Sequence, residues 1–145
     1  MGLSNSIQDR ETQAKIAEEC AQLMDEQVAT KKGISGLAIK TAYRALKGLG
    51  PGYVPRALQG LLPPALRAVE PMWDEGLRAG DPVEHLSQNR EQTAEVLLGV
   101  TDTKISKAQN KIVIAAYKKV RKSVKGDVEE AVPGLAKIIN NHTNN

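Results

Sequence analysis

The sequence predicts an all-α fold, a helical bundle of about six to seven helices arranged as two pseudo-repeated halves. Three observations carry this. Apolar residues recur at spacings of three and four and in no alternating run, which is the pattern of helices rather than strands. The 145 residues include no Phe, one Trp and three Tyr, so the core must come from Ala, Leu, Ile and Val. Sliding the chain by 74 residues superposes parts of its two halves.

The elements follow in order. A first helix is predicted from Ile7 to Ala29, opened by Ser6 with Asp9 three residues on, its apolar face formed by Ile16, Cys20, Leu23, Met24 and Val28. Lys31-Lys32-Gly33 ends it, and a second helix runs from Ser35 to Lys47 until Gly48-Leu49-Gly50-Pro51-Gly52 breaks the pattern. Between Tyr53 and Gly80 lie Pro55, Pro63, Pro64 and Pro71, each removing a backbone donor. Short pieces are expected there, Val54 to Leu61 and Pro64 to Leu77, the second kinked at Pro71. Asp81-Pro82-Val83-Glu84 opens a helix or helix pair reaching Val100. Asp102 or Thr103 then caps a long helix to Val124, with Gly126 as its left-handed stop. Asp127-Val128-Glu129-Glu130 starts a last helix, interrupted at Pro133-Gly134 and fading into Asn140 to Asn145.

At the 74-residue offset, Ala42-Tyr43 falls on Ala116-Tyr117, Gly52 on Gly126, Val54 on Val128, Ala57 on Ala131, and Gly60-Leu61 on Gly134-Leu135. These are seven identities without a gap. The pseudo-repeats span about 9–69 and 82–140, within a single domain covering 1–145. Charge repeats as well. Residues 9–26 hold six acids and two bases, 27–69 no acid and seven bases, 70–102 eight acids and two bases, and 103–126 no acid and eight bases. Each half therefore reads acidic, then basic, as expected for an acidic helix lying beside a basic one.

The combination of Lys31-Lys32-Gly33-Ile34-Ser35-Gly36, Ile39-Lys40-Thr41-Ala42-Tyr43, Pro51-Gly52, Glu70-Pro71-Met72-Trp73 and Val100-Thr101-Asp102 resembles a family of small, uncharacterised bacterial helical proteins, a domain of unknown function. The resemblance covers residues 10–140. It implies an all-helical cytoplasmic protein and supplies no active site to transfer.

Composition excludes several classes of function. No apolar run is long enough to span a bilayer, and one cysteine, Cys20, makes no intrachain disulfide, so a soluble cytoplasmic chain is expected. Met1-Gly2-Leu3-Ser4-Asn5-Ser6 matches the loose N-myristoylation pattern, which arises readily by chance. With two histidines, His85 and His142, far from Cys20 in sequence, no metal site or cofactor is expected. No nucleophile elbow, phosphate loop or zinc-protease motif occurs, so an enzyme is not expected. The 48–52 segment follows a helix rather than a strand and reads as a plain turn.

The remaining candidates are side chains without a motif. Trp73 and Met72, beside a proline break, together with Tyr53, Tyr43 and Tyr117, are the candidate contacts for a ligand or partner. Lys118, Lys119, Arg121, Lys122 and Lys125 are the candidate anion contacts, although a net charge of +3 and the lack of a stacking platform argue against nucleic acid. The first expectation is a non-enzymatic module for protein contacts or homodimerisation, motivated by the apolar surplus of 54–78. The alternative is a binder of a small apolar ligand or lipid, with a cavity between the halves near Trp73.

Overall fold

In the computed structural model, which describes residues 2–143, all regular structure is helical. Eight helices and no strand occur among the described residues: α1 (Leu3–Ser6), α2 (Arg10–Ala29), α3 (Gly33–Lys47), α4 (Tyr53–Ala79), α5 (Pro82–Gln88), α6 (Arg90–Ser106), α7 (Lys111–Val120) and α8 (Lys125–Asn141). Met1, where the acylation pattern begins, and Asn144 and Asn145 of the predicted tail lie outside the described residues.

The predicted helices hold, but several boundaries and the helix count do not. The chain opens with a separate turn, α1, because Leu3 and Ile7 are both buried and Ser4 donates from its backbone nitrogen and hydroxyl to Glu70 Oε1, at 2.8 and 2.7 Å. Asp9, rather than Ser6, caps α2 by accepting from the Thr12 backbone nitrogen. Asp81 caps α5 as expected, accepting from the nitrogen of Glu84. The long helix expected from Asp102 to Val124 is two, broken at 107–110. There Asn110 Oδ1 accepts from the nitrogens of Ile112 and Val113 and opens α7, while Asp102 stays inside α6. Gly126 is not a left-handed stop but part of α8; positive φ occurs at Gly33, Gly50 and Gly80.

The largest correction concerns proline. The segment expected as short pieces is one 27-residue helix, α4, continuous through Pro63, Pro64 and Pro71, and α8 likewise runs through Pro133. Each ring displaces the carbonyl four residues earlier. For Pro64 and Pro71 those carbonyls belong to Gly60 and Arg67, which are exposed, so water can satisfy them and the helix can curve around the core. Meanwhile Val54, Leu62, Leu66, Val69, Met72, Trp73 and Gly76 form an unbroken buried stripe.

α4 is the organising element, packing against α1, α2, α3, α5 and α6. α2 and α6 each pack against both α4 and α8, and α3 packs against α7. One core cluster gathers Ile7, Ile16, Leu66, Met72, Trp73, Leu86, Val132 and Ile139. It packs closely: the space left beside Leu66, Leu86 and Val132 is about 30 Å³, room for no more than a water or two. At Gly76 an added Cβ would lie 2.5 Å from Cα of Pro82, so only glycine lets α4 meet the start of α5.

Candidate functional site

On the other side of α4 the packing opens. A cavity of about 440 Å³ lies among α2, α3, α4, α6, α7 and α8. Its wall is made of methyl and methylene groups because the core-facing positions of these helices carry Ala, Val and Leu. No Phe is present to fill the centre, and the one Trp is committed to the closed cluster.

The lining is drawn from matching positions. α3 contributes Ile39, Ala42, Tyr43 and Leu46, and α7 contributes Val113, Ala116, Tyr117 and Val120, each 74 residues on. The same offset relates Leu23 to Leu97, Met24 to Leu98, Val54 to Val128, Ala57 to Ala131 and Leu61 to Leu135, all of which line the cavity. Small residues at Ala42, Ala57, Ala116 and Ala131 leave the space that larger side chains would occupy.

Two polar clamps hold the tyrosines. Tyr43 donates its hydroxyl to Asp25 Oδ1 on α2, and Lys47 Nζ lies 3.2 Å from the same oxygen and over the Tyr43 ring. Tyr117 donates to Asp102 Oδ1 at 2.5 Å, and Arg121 donates to both oxygens of Asp102, at 2.8 and 3.0 Å. In each clamp a Tyr and a base four residues later grip a carboxylate of the preceding acidic helix. The hydroxyls are thereby engaged while the rings remain part of the apolar wall. The hydrogen bond from tyrosine holds Asp25 below the usual carboxylate range, and the bonds from Arg121 and Tyr117 do the same for Asp102. Desolvation, then the bonded carboxylate, pushes both tyrosines well above their ordinary value.

One charged group reaches the lining from the turn after α2. Lys31 is the only cation on the wall among the described residues; its side chain is 9% exposed, and its Nζ lies 3.0 Å from Asp127 Oδ1 and 2.5 Å from Glu130 Oε1. Desolvation alone would lower its pKa, but the bonds to Glu130 and Asp127 outweigh it and leave the ammonium favoured. Cys20, also on the wall, is pushed up to about 11, first by burial and then by the Glu19 charge. A thiol so shifted is no nucleophile near neutral pH.

Of the residues singled out from sequence, Tyr43, Tyr53 and Tyr117 come together on this cavity, whereas Met72 and Trp73 do not. Both are buried in the closed cluster, so the cavity expected near Trp73 lies elsewhere, between α3, α7 and their neighbours. The five basic candidates divide. Arg121 is committed to Asp102 and Lys125 to Glu95 and Glu91, while Lys118, Lys119 and Lys122 are exposed without an ion pair among the described residues. His85 and His142 face Glu75 and Glu19. No group of three His, Cys, Asp or Glu suited to a metal occurs among the described residues. Sequence reasoning did not single out Lys31 as a site residue, although it opens one of the stretches that carry the family resemblance. The apolar wall was legible only as an excess of Ala and Leu.

A family model matches residues 3–143. The chain belongs to a family of unknown function (DUF6918). No curated protein and no solved structure matches it. Family membership covers the whole cavity, since every lining residue falls between 3 and 143. Among the described residues no helix is long and apolar enough to cross a membrane.

Proposed function

We propose that the chain binds a small apolar molecule, most simply one hydrocarbon chain such as a fatty alcohol, acyl ester or isoprenoid, inside the bundle. The observation that carries this is the 440 Å³ apolar cavity. It falls within the ~300–1,000 Å³ typical of ligand sites. It is roughly three times the ~150 Å³ of an engineered apolar cavity that takes up benzene. Water finds few partners against a wall made almost wholly of methyl and methylene groups, and an apolar guest that displaces it takes that wall out of water.

Charge narrows the guest. Lys31 already faces two carboxylates, so a ligand carboxylate would have to displace one of them. The ammonium has three N–H donors, and the one not directed at Asp127 or Glu130 suits a neutral hydroxyl or carbonyl oxygen. A neutral head group on an apolar chain is therefore favoured over a free fatty acid. The paired lining positions support reading the halves as a duplication whose apposed cores leave the space between them. The apolar residues of 54–78 supply much of the closed cluster and part of the cavity wall.

The test is organic extraction of detergent-free purified protein with mass spectrometry, followed by titration of stripped protein with a fluorescent fatty alcohol and its carboxylic acid analogue. Stoichiometric, saturable binding that favours the alcohol is expected. The absence of both a co-purifying apolar compound and saturable binding refutes the reading.

A further inference from the structure

α3 and α7 wall the cavity on one side, and at the helical period Ile34, Leu37, Arg44, Lys111 and Lys118 fall on the side turned away from it. We infer that this outer α3–α7 face docks on an anionic membrane surface. Both helices lie within the two acid-free stretches, 27–69 and 103–126, so neither contributes a negative charge to it. Exposed cations on and beside them are Lys32, Arg44, Lys111, Lys118, Lys119 and Lys122, none in an ion pair among the described residues. The nearest carboxylates of the clamps, Asp25 and Asp102, are already bonded to Lys47 and Arg121.

Among the described residues, three of the four exposed large apolar side chains belong to the same two helices: Ile34, 91% exposed, Leu37, 65%, and Ile112, 49%. Cations that bind lipid phosphates, with protruding aliphatic side chains that enter the acyl boundary, are what an interfacial helix needs. A nucleic acid would use the cations but would leave Ile34 and Leu37 in water, and the face has no aromatic platform for bases. A second copy of the chain would oppose like charges on its own face. Because α3 and α7 separate the cavity from this face, docking places the lipid phase one helix layer from the site.

The inference does not depend on the cavity being filled. Flotation of the full chain with vesicles of phosphatidylcholine alone, and of phosphatidylcholine mixed with phosphatidylglycerol, tests it directly. Partitioning on the mixed vesicles, weakened by salt, and none on the neutral ones is expected. At about fivefold per cation, replacing Lys118, Lys119 and Lys122 together by Gln should lower partitioning on the order of a hundredfold. Ile34→Ser with Leu37→Ser should lower it on the order of tenfold or more, while Leu77→Ser, at an exposed apolar position on α4, should leave it unchanged. All these positions are exposed, and unchanged circular dichroism verifies the fold. Partitioning that ignores the lysines, no partitioning at all, a dimer held by this face, or duplex DNA binding that needs the lysines but not Ile34 and Leu37, would each overturn it. The variant Ala131→Leu, which narrows the cavity, keeps its docking whether or not the ligand reading stands.

Discussion

Ala131→Leu distinguishes a cavity from a packed core by the sign of its effect on stability. Ala131 lies on the α8 wall, half-buried, among the residues that line the cavity. Leucine is as good a helix former as that site needs. Its three added carbons would fill part of the 440 Å³, worth about 0.8 kcal/mol each on burial, so about 2.4 kcal/mol before strain. After allowance for imperfect fit, stripped protein should gain about 1–2 kcal/mol, a rise in Tm of about 3–6 °C in a chain of this length. Urea unfolding of stripped wild type and variant gives the difference, and the same samples should show affinity for the fluorescent alcohol reduced on the order of tenfold. If the region is close-packed, the same substitution overpacks it and costs about 1–3 kcal/mol. A destabilised variant would therefore refute the cavity, and with it the proposed function.

Further outcomes follow from the surrounding contacts. Lys31→Met leaves Asp127 without its cation in a half-buried place and should cost about 1–2 kcal/mol, at the low end for such a pair because Glu130 is largely exposed. Pairing raises the Lys31 pKa above 10.5, so the wild-type advantage is complete below that pH and disappears as pH rises through the higher folded value; urea midpoints across alkaline pH measure it. The carboxylates of the clamps behave oppositely. Asp25 and Asp102 are held below 3.8, so their contribution is present above that pH and lost as pH falls through the lower folded values, and Tyr117→Phe should remove about 0.5–1 kcal/mol of it at pH 7. Gly76→Ala forces a Cβ against the Pro82 backbone and should lose at least about 2 kcal/mol in thermal unfolding. Cys20 should react slowly with polar maleimides in the folded protein and more slowly still with a fatty alcohol bound, measured by mass spectrometry.

By itself the sequence determined the helical class, the breaks after α2 and α3, the Asp81 cap, and the matching of Ala42, Tyr43, Val54, Ala57 and Leu61 with residues 74 further on. These are local or periodic properties: hydrophobic spacing, capping by Asp81, the Gly50 turn. Its misreadings were also local. Pro63, Pro64 and Pro71 break a helix when their displaced carbonyls are trapped, and whether those carbonyls meet water depends on which face the bundle covers. The apolar spacing from Val54 to Gly76 runs on unbroken through the prolines, and that spacing is the sequence signal of the continuous α4. Only the tertiary structure decided which apolar residues would touch one another. Leu66, Met72 and Trp73 close against α1, α5 and α8, whereas an equally apolar set centred on Ala42, Ala57, Ala116 and Ala131 is too small to meet across the bundle. Composition counts methyl groups, but a cavity is set by the distances between the helices that carry them. The same holds for Lys31, an ordinary turn lysine in sequence, which joins an apolar wall because α8 brings Asp127 and Glu130 to it.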